Sequence, residues 1–107
     1  MTIRVAVLGL GFGQAVHVPA FRAAGAEVVA IAGSTAERAK AVAERLRIPR
    51  AVGGWRELVD DPMIDALSIA LPPAVQAEVV VAAAATGKHV FCEKPAAVTV
   101  AQAEAMV

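Results

Sequence analysis

The feature that most constrains the fold is an apolar run that leads directly into a glycine-rich turn, within residues 3–13. Val5, Val7 and Leu8 lie in the run, and the sequence GLGFG follows at positions 9–13. A short strand that is apolar throughout is typical of a parallel sheet covered by helices on both faces. Glycines after such a strand allow a tight turn and let a ligand approach the main chain, because no Cβ is in the way. If a helix begins there, its unpaired N–H groups favour an anionic group such as a diphosphate.

Segments with strand and helix character alternate along the rest of the chain. After the first strand, strands are predicted at 27–32, 50–54, 65–71 and 89–92, and helices at 14–24, 36–46, 55–59 and 74–86, with a last helix capped by Thr99. Gly25 and Gly87 are predicted to end two of the helices, and a capping box that starts at Ser34 opens another. This alternation predicts an α/β fold, a doubly wound parallel sheet between two layers of helices, with the strand order 3-2-1-4-5.

Length and composition limit the classes of protein that remain. The 107 residues suffice for one domain, 1–107, and 58% of them are apolar against 19% charged, so we expect a well-buried core. Ten basic and ten acidic side chains cancel, which removes the electrostatic basis for binding nucleic acid or an anionic membrane. No apolar run is long enough to span a membrane. A single cysteine, Cys92, excludes an internal disulfide and fits a reducing compartment, so we expect a cytoplasmic protein. No metal site is expected.

The glycine turn fits the dinucleotide-binding pattern G-x-G-x-x-G at two of its three positions. Gly9 and Gly11 match, whereas Gln14 stands at the third position and Gly13 comes one residue early. Alone, the motif fits an ordinary strand-to-helix turn equally well. The strand before it and the predicted helix after it favour a dinucleotide site that Gly9, Gly11, Phe12 and Gly13 line.

The end of the second strand is where such a site meets the adenosine ribose. An acidic residue there binds the ribose 2′-OH of NAD. This chain has Gly33, Ser34 and Thr35 instead, with Arg38 one turn into the helix. No carboxylate repels a 2′-phosphate, while two hydroxyls and a guanidinium are available to bind one. These residues favour NADP, with NAD as the alternative. In the plainer interpretation Ser34 only caps the helix and Arg38 is a surface charge, and both interpretations can hold together.

Two prolines follow the third long strand and place a rigid turn at the carboxyl edge of the sheet, where ligands bind in open α/β folds. Leu71 and Pro72 are therefore candidate cofactor contacts. Gln76 either faces that edge or is an ordinary polar residue of the first helical turn. His17 is expected to be a partly exposed helix residue, and Trp55 either packs on the core or covers the adenine side.

The sharpest signal lies after the last strand, at Glu93, Lys94 and Pro95. Two charges at the end of a buried strand, on the ligand edge, are an unusual arrangement. A lysine there is placed to hold a substrate hydroxyl or carbonyl and to help the proton leave as hydride passes to a nicotinamide. Lys94 is the candidate catalytic residue, and Glu93 and Lys94 are candidate cofactor contacts. The alternative is an exposed loop with a local ion pair.

Three runs resemble the glucose–fructose oxidoreductase / inositol dehydrogenase (Gfo/Idh/MocA) family: VLGLGFG at 7–13, IDALSIALP at 64–72 and GKHVFCEKP at 87–95. The resemblance covers essentially the whole chain. It implies a Rossmann domain that binds NAD(P) and a reaction that oxidises or reduces a carbon of a sugar or polyol. Lys94 matches the family's lysine that contacts the substrate hydroxyl, with Glu93 and Pro95 as its companions.

The resemblance also implies parts that this chain does not contain. The family's substrate domain, a large and mostly antiparallel sheet, is expected to follow, so the chain is expected to be the front piece of a larger, homo-oligomeric protein. The isolated chain is expected to be inactive. Three positions depart from the family pattern: Gln14 replaces a small residue, Gly33 replaces the acidic residue of NAD-using members, and Gln76 stands where a histidine is common. A non-catalytic dinucleotide-binding regulatory module is the alternative to an enzyme domain.

Overall fold

A computed structural model describes residues 2–10 and 17–92, without the side chains of Pro73 and Cys92. Its strands are β1 (Arg4–Leu8), β2 (Glu27–Ala32), β3 (Arg50–Val52), β4 (Ala66–Ile69) and β5 (His89–Cys92). Its helices are α1 (Val18–Ala23), α2 (Ala36–Leu46), α3 (Arg56–Val59) and α4 (Pro73–Ala85). The predictions for residues 11–16 and for 93–107, including the helix capped by Thr99, lie outside the described residues.

The strands form one parallel sheet in the order β3-β2-β1-β4-β5. The predicted doubly wound fold is therefore confirmed. Two buried apolar clusters cover the two faces of the sheet. Ala6 and Leu8 belong to the cluster under α3 and α4, and Val7 belongs to the cluster under α1 and α2. Successive side chains of a strand point to opposite faces, so β1 must be apolar at every buried position.

Most helices begin or end at the glycines and prolines that the sequence predicted as their termini. Gly25 and Gly87 follow the C-cap residues of α1 and α4 and take positive φ angles of 89° and 78°, as predicted for left-handed caps. Pro19 lies in the first turn of α1, where its missing N–H costs no hydrogen bond. Pro73 starts α4 one residue earlier than predicted for the same reason.

The predicted cap of α2 is wrong by one residue. Thr35, not Ser34, is the N-cap, because Thr35 is extended (φ −135°, ψ 152°) and its Oγ1 accepts a hydrogen bond from the Arg38 N–H at 3.2 Å. Glu37 is then the second residue of the helix rather than the third, where a capping box needs it. Its carboxylate still lies in the first turn, where a negative charge is favourable.

The strands predicted at 50–54 and 65–71 are longer than the observed β3 and β4, which span Arg50–Val52 and Ala66–Ile69. The pairing of β1 with β4 nevertheless continues past both ends of β4 through single backbone bonds. The Asp65 N–H donates to the Arg4 carbonyl and the Ala70 N–H to the Leu8 carbonyl, each at 2.9 Å. The chain from 65 to 70 is therefore held against β1 over its full length, which aligns the ends of the two strands.

Candidate functional site

The carboxyl ends of the central strands meet at one edge of the sheet. The Gly9 N–H donates to the Ala32 carbonyl at 2.9 Å, which joins the turn after β1 to the end of β2. The Gly33 N–H donates to the Val52 carbonyl at 3.1 Å, which joins the turn after β2 to the end of β3. The turns that follow β1, β2, β3 and β4 therefore begin side by side. In open α/β sheets this edge, at the point where the strand order reverses, is where ligands bind.

Gly9 has a structural reason to be glycine. Its φ is +118°, and a Cβ at this position would lie 2.3 Å from the carbonyl oxygen of Ala70. No other residue type fits there without moving the end of β4. Gly9 can thus lie directly against the residue that follows β4. Gly11, Phe12 and Gly13 lie outside the described residues, as does Gln14.

Ser34, Thr35 and Arg38 lie together at the start of α2, all of them exposed. Besides the cap made by Thr35, the Arg38 guanidinium folds back along the helix, with its NH1 group 3.5 Å from Ser34 Oγ. The cationic group therefore lies over the N-terminus of α2, where the unpaired N–H groups already favour an anion. Two hydroxyls, a guanidinium and a helix N-terminus meet at the end of β2.

A buried side chain of α4 holds the turn after β4. Leu71 is half-buried and Pro72 is exposed. The Leu71 N–H donates to Gln76 Oε1 at 3.3 Å, and the Gln76 side chain is only 1% exposed. Gln76 faces the edge, and its carbonyl oxygen holds the backbone of the turn in place. A buried amide so engaged fixes the position of Leu71 relative to α4.

His17 is partly exposed, as expected, and it joins the start of α1 to β4. It is half-buried, immediately precedes α1, and its Nδ1 is hydrogen-bonded to Ser68 Oγ in β4. Ser68 is fully buried. The signal that sequence reasoning missed is Ser68 itself, the one polar residue of the strand ALSI, because a buried hydroxyl requires a partner.

Trp55 lies directly before α3 and packs against the cluster under α3 and α4. The Arg56 guanidinium lies 4.6 Å from the centre of its ring, a cation–π contact that holds the indole in place. The packing role of Trp55 is confirmed, and cover over an adenine stays a prediction.

The ion pairs at the opposite, amino edge of the sheet are structural. Asp65 accepts hydrogen bonds from the Arg4 backbone N–H at 2.8 Å and from the Arg4 guanidinium at 3.3 Å. The side-chain hydrogen bonds from Arg4, followed by the backbone bond, lower the pKa of Asp65. Arg50 is similarly bound to Asp61 and Glu57. These paired charges connect the starts of the strands, far from the turns described above.

Residues 2–10 and 17–92 were also searched for metal-binding groups and for membrane-spanning helices. These residues contain no group of three or more His, Cys, Asp or Glu side chains placed to hold a metal ion. None of their helices has both the length and the apolar character needed to cross a membrane.

β5 ends at the same edge of the sheet as its neighbour β4, with Cys92 opposite Ile69. Glu93, Lys94 and Pro95 come next in the chain and lie outside the described residues.

Comparison with known proteins agrees with this geometry. The model of the Gfo/Idh/MocA family, described as an oxidoreductase family with an NAD-binding Rossmann fold, matches residues 3–107. D-xylose 1-dehydrogenase (NADP(+)) 2 of Haloferax volcanii is 45% identical over 85 residues, which cover 79% of this chain and 26% of that protein. Myo-inositol 2-dehydrogenase of Thermotoga maritima is 30% identical over 106 residues, 98% of this chain and 32% of that protein.

Among solved structures, levoglucosan dehydrogenase in complex with NADH and levoglucosan is similar, with a TM-score of 0.94 and 33% identity. The match covers 99% of this chain and 31% of that one. The chain thus spans about a quarter to a third of the length of these relatives.

Proposed function

This chain belongs to the Gfo/Idh/MocA family of oxidoreductases, and on that premise we propose that it is the cofactor domain of an NAD(P)-dependent enzyme. The reaction is hydride transfer between nicotinamide and a sugar- or polyol-like alcohol or ketone. The observation that carries the proposal is that the turns after four strands begin side by side at one edge of the sheet, with Gly9 against Ala70. The family model matches this chain over residues 3–107, which includes all four turns. The names of the relatives support a sugar or polyol as the substrate.

The dinucleotide fits the edge in the orientation usual for a doubly wound sheet. The diphosphate is proposed to lie after β1, with Gly9, Gly11, Phe12 and Gly13 as its contacts. The adenosine lies towards β2, and Leu71 and Pro72 contact the cofactor from the turn after β4, on the other side of β1. Gly9 lets the turn after β1 lie against the end of β4, because a Cβ there would meet the Ala70 oxygen at 2.3 Å.

NADP is the proposed cofactor, because the residues after β2 suit a 2′-phosphate. Ser34, Thr35 and Arg38 offer hydroxyls, a guanidinium and the N-terminus of α2, and position 33 carries no carboxylate. A charge-assisted contact from an arginine to a phosphate contributes more than a neutral hydrogen bond. One relative of this chain is named as an NADP(+) enzyme, and another was solved in complex with NADH. The choice between NADP and NAD therefore has to be measured on this protein itself.

Titration of the full-length protein with NADPH and NADH tests the preference. Arg38→Ala is expected to weaken the binding of NADPH by about tenfold or more and to leave the binding of NADH nearly unchanged. Lys40→Ala removes an equal charge from the exposed side of the same helix and serves as the matched control. Tighter binding of NADH by the unmodified protein, or equal effects of the two substitutions, would overturn the assignment.

Lys94 is proposed as the catalytic residue of the same reaction. When bound, the nicotinamide supplies the hydride acceptor or donor. The ammonium of Lys94 donates a hydrogen bond to the reacting oxygen, stabilises the negative charge that develops there, and helps move its proton. Glu93 is proposed to lie against the cofactor beside it, and Pro95 to fix the loop.

Lys94→Ala in the full-length protein is expected to lower kcat by a factor on the order of 100 to 1,000 while NADPH affinity is retained. Lys40→Ala is again the control. Unchanged turnover would refute the role of Lys94, and cofactor binding without any turnover in the unmodified protein would favour a regulatory module instead.

The remaining parts of the proposal concern the whole protein. Because the relatives are three to four times longer than the match, the chain 1–107 is proposed to be one domain of a longer polypeptide whose substrate domain follows. The full-length protein is proposed to be a cytoplasmic homo-oligomer. Light scattering on the purified full-length protein tests the oligomer, and fractionation of the cells that produce it tests the compartment.

A further inference from the structure

Leu10 occupies the space in front of Gly33. Leu10 lies in the turn after β1, is half-buried, and packs against the cluster under α1 and α2, which includes Val18 and Ile31. A Cβ at Gly33 would lie 2.5 Å from Leu10 Cδ1 and 2.8 Å from Leu10 Cγ. Contacts this short do not occur between real side chains, so any side chain at position 33 requires Leu10 to move.

The other glycines of the same edge show what is unusual about Gly33. A Cβ at Gly9 or Gly53 would meet backbone atoms, the Ala70 oxygen at 2.3 Å and the Ala36 nitrogen at 2.7 Å. At Gly33 the obstacle is a side chain. The φ angle of Gly33 is not positive, so its backbone suits any residue. Leu10 is therefore the group that any side chain at position 33 would have to displace.

Position 33 is the place where a dinucleotide domain of this kind carries the carboxylate that holds the two ribose hydroxyls of NAD. With Leu10 in place, a carboxylate cannot be added there without displacing a residue of the turn proposed for the diphosphate. A substitution that favours NAD at the ribose would therefore disturb the diphosphate as well.

We propose that Leu10 is a specificity-determining residue: by filling the space next to Gly33 it excludes a side chain there and reserves the end of β2 for a 2′-phosphate. This role rests on the proposed preference for NADP. It predicts that cofactor preference is set jointly by positions 10 and 33, which lie in different turns, and not by position 33 alone.

The test measures NADPH and NADH affinity in the full-length protein for the unmodified chain, Gly33→Asp, Leu10→Ala and the double variant. Gly33→Asp alone is expected to weaken NADPH by about tenfold or more without tightening NADH, because the diphosphate turn is displaced. Adding Leu10→Ala is expected to tighten NADH binding and to raise the NADH-to-NADPH affinity ratio by about tenfold or more relative to Gly33→Asp. Gly54→Asp is the matched control, because it adds the same charge near this edge where a Cβ meets nothing within 4 Å.

A thermal-unfolding cycle with Gly33→Ala and Leu10→Ala keeps the proposal testable if Gly33→Asp does not fold. The two effects on Tm are expected to be non-additive, with Gly33→Ala costing clearly less in the Leu10→Ala background. Additive shifts, or a complete switch to NADH by Gly33→Asp alone at unchanged Tm, would overturn the role of Leu10. Tighter NADH binding by the unmodified protein would instead overturn the proposed cofactor, and the thermal cycle distinguishes the two failures because it needs no ligand.

Discussion

His17 Nδ1 and Ser68 Oγ are hydrogen-bonded to each other, which ties the residue before α1 to the middle of β4. The two residues are 51 positions apart in the chain. The His17 ring also meets Phe21 edge-on, with the ring centres 6.4 Å apart, and Phe21 meets Phe91 of β5 at 5.3 Å. One row of contacts thus fixes α1 against β4 and β5.

The two partners of this bond are expected to respond differently to substitution. His17→Ala leaves the fully buried Ser68 hydroxyl without its partner, which costs about 1–3 kcal/mol of the free energy of unfolding. Ser68→Ala removes that hydroxyl and leaves a half-buried imidazole that water can reach, so a loss below about 1 kcal/mol is expected. Urea denaturation of each variant measures both values.

The double variant provides the control. His17→Ala is expected to cost less in the Ser68→Ala background, with a coupling of about 1 kcal/mol, because no hydroxyl is then stranded. Equal losses for the two single variants together with an additive double variant would show that the bond does not hold α1 in place.

Gly9, Gly25 and Gly54 form a graded series for the cost of a methyl group. Gly9→Ala is expected to cost more than about 3 kcal/mol, because a positive φ is combined with a Cβ placed 2.3 Å from the Ala70 oxygen. Gly25→Ala shares the positive φ but meets nothing within 4 Å, so about 1–2 kcal/mol is expected. Gly54→Ala is expected to be nearly neutral. Chemical denaturation ranks the three, and a loss at Gly9 no larger than at Gly25 would contradict the close approach to β4.

Asp65 is expected to make stability depend on acidic pH. Hydrogen bonds from the Arg4 side chain, then from its backbone N–H, lower the pKa of Asp65 in the folded protein. A lowered pKa means that the contribution to stability is fully present above the unfolded value, about 3.9, and is lost as the pH falls through the folded value. The denaturation midpoint, followed from about pH 6 to about pH 2, is expected to fall less steeply in Asp65→Asn than in the unmodified protein. Asp60→Asn, at an exposed carboxylate, is the control and is expected to follow the unmodified curve.

The architecture was predictable because it depends on features that are local in the sequence. Buried parallel strands must be apolar on both faces, so each strand appears as an uninterrupted apolar run, as Val5 to Leu8 does. Gly25 and Gly87 mark helix ends because a left-handed residue is needed there. The order of alternating strands and helices then restricts the topology to very few arrangements.

The details of the site were not predictable, because they depend on contacts between residues far apart in the chain. Nothing in a sequence shows that Leu10 lies against Gly33, or that Gln76 turns back to the Leu71 backbone. The prediction of Ser34 as the N-cap of α2 was wrong for a more local reason. Ser34 and Thr35 both carry a suitable hydroxyl, and only the backbone angles at the end of β2 decide which one caps.

This neighbouring pair of hydroxyls allows the capping role and the ligand role to be separated. Thr35→Ala removes the hydrogen bond to the Arg38 N–H and is expected to cost about 1 kcal/mol of stability. Ser34→Ala removes an exposed hydroxyl whose partner is the Arg38 guanidinium, so less than about 0.5 kcal/mol is expected. Denaturation of the two variants in parallel measures this difference.

Cofactor affinity is expected to show the reverse order. If Ser34 and Arg38 bind a 2′-phosphate together, Ser34→Ala weakens NADPH by about fivefold to tenfold and leaves NADH unchanged, since NADH has no phosphate there. The Thr35 hydroxyl already accepts the Arg38 N–H and has only its own O–H to donate, so Thr35→Ala is expected to weaken NADPH binding by less than Ser34→Ala does. A stability loss confined to Ser34→Ala would restore that residue as the cap, and an NADPH effect confined to Thr35→Ala would assign the phosphate contact to Thr35 instead.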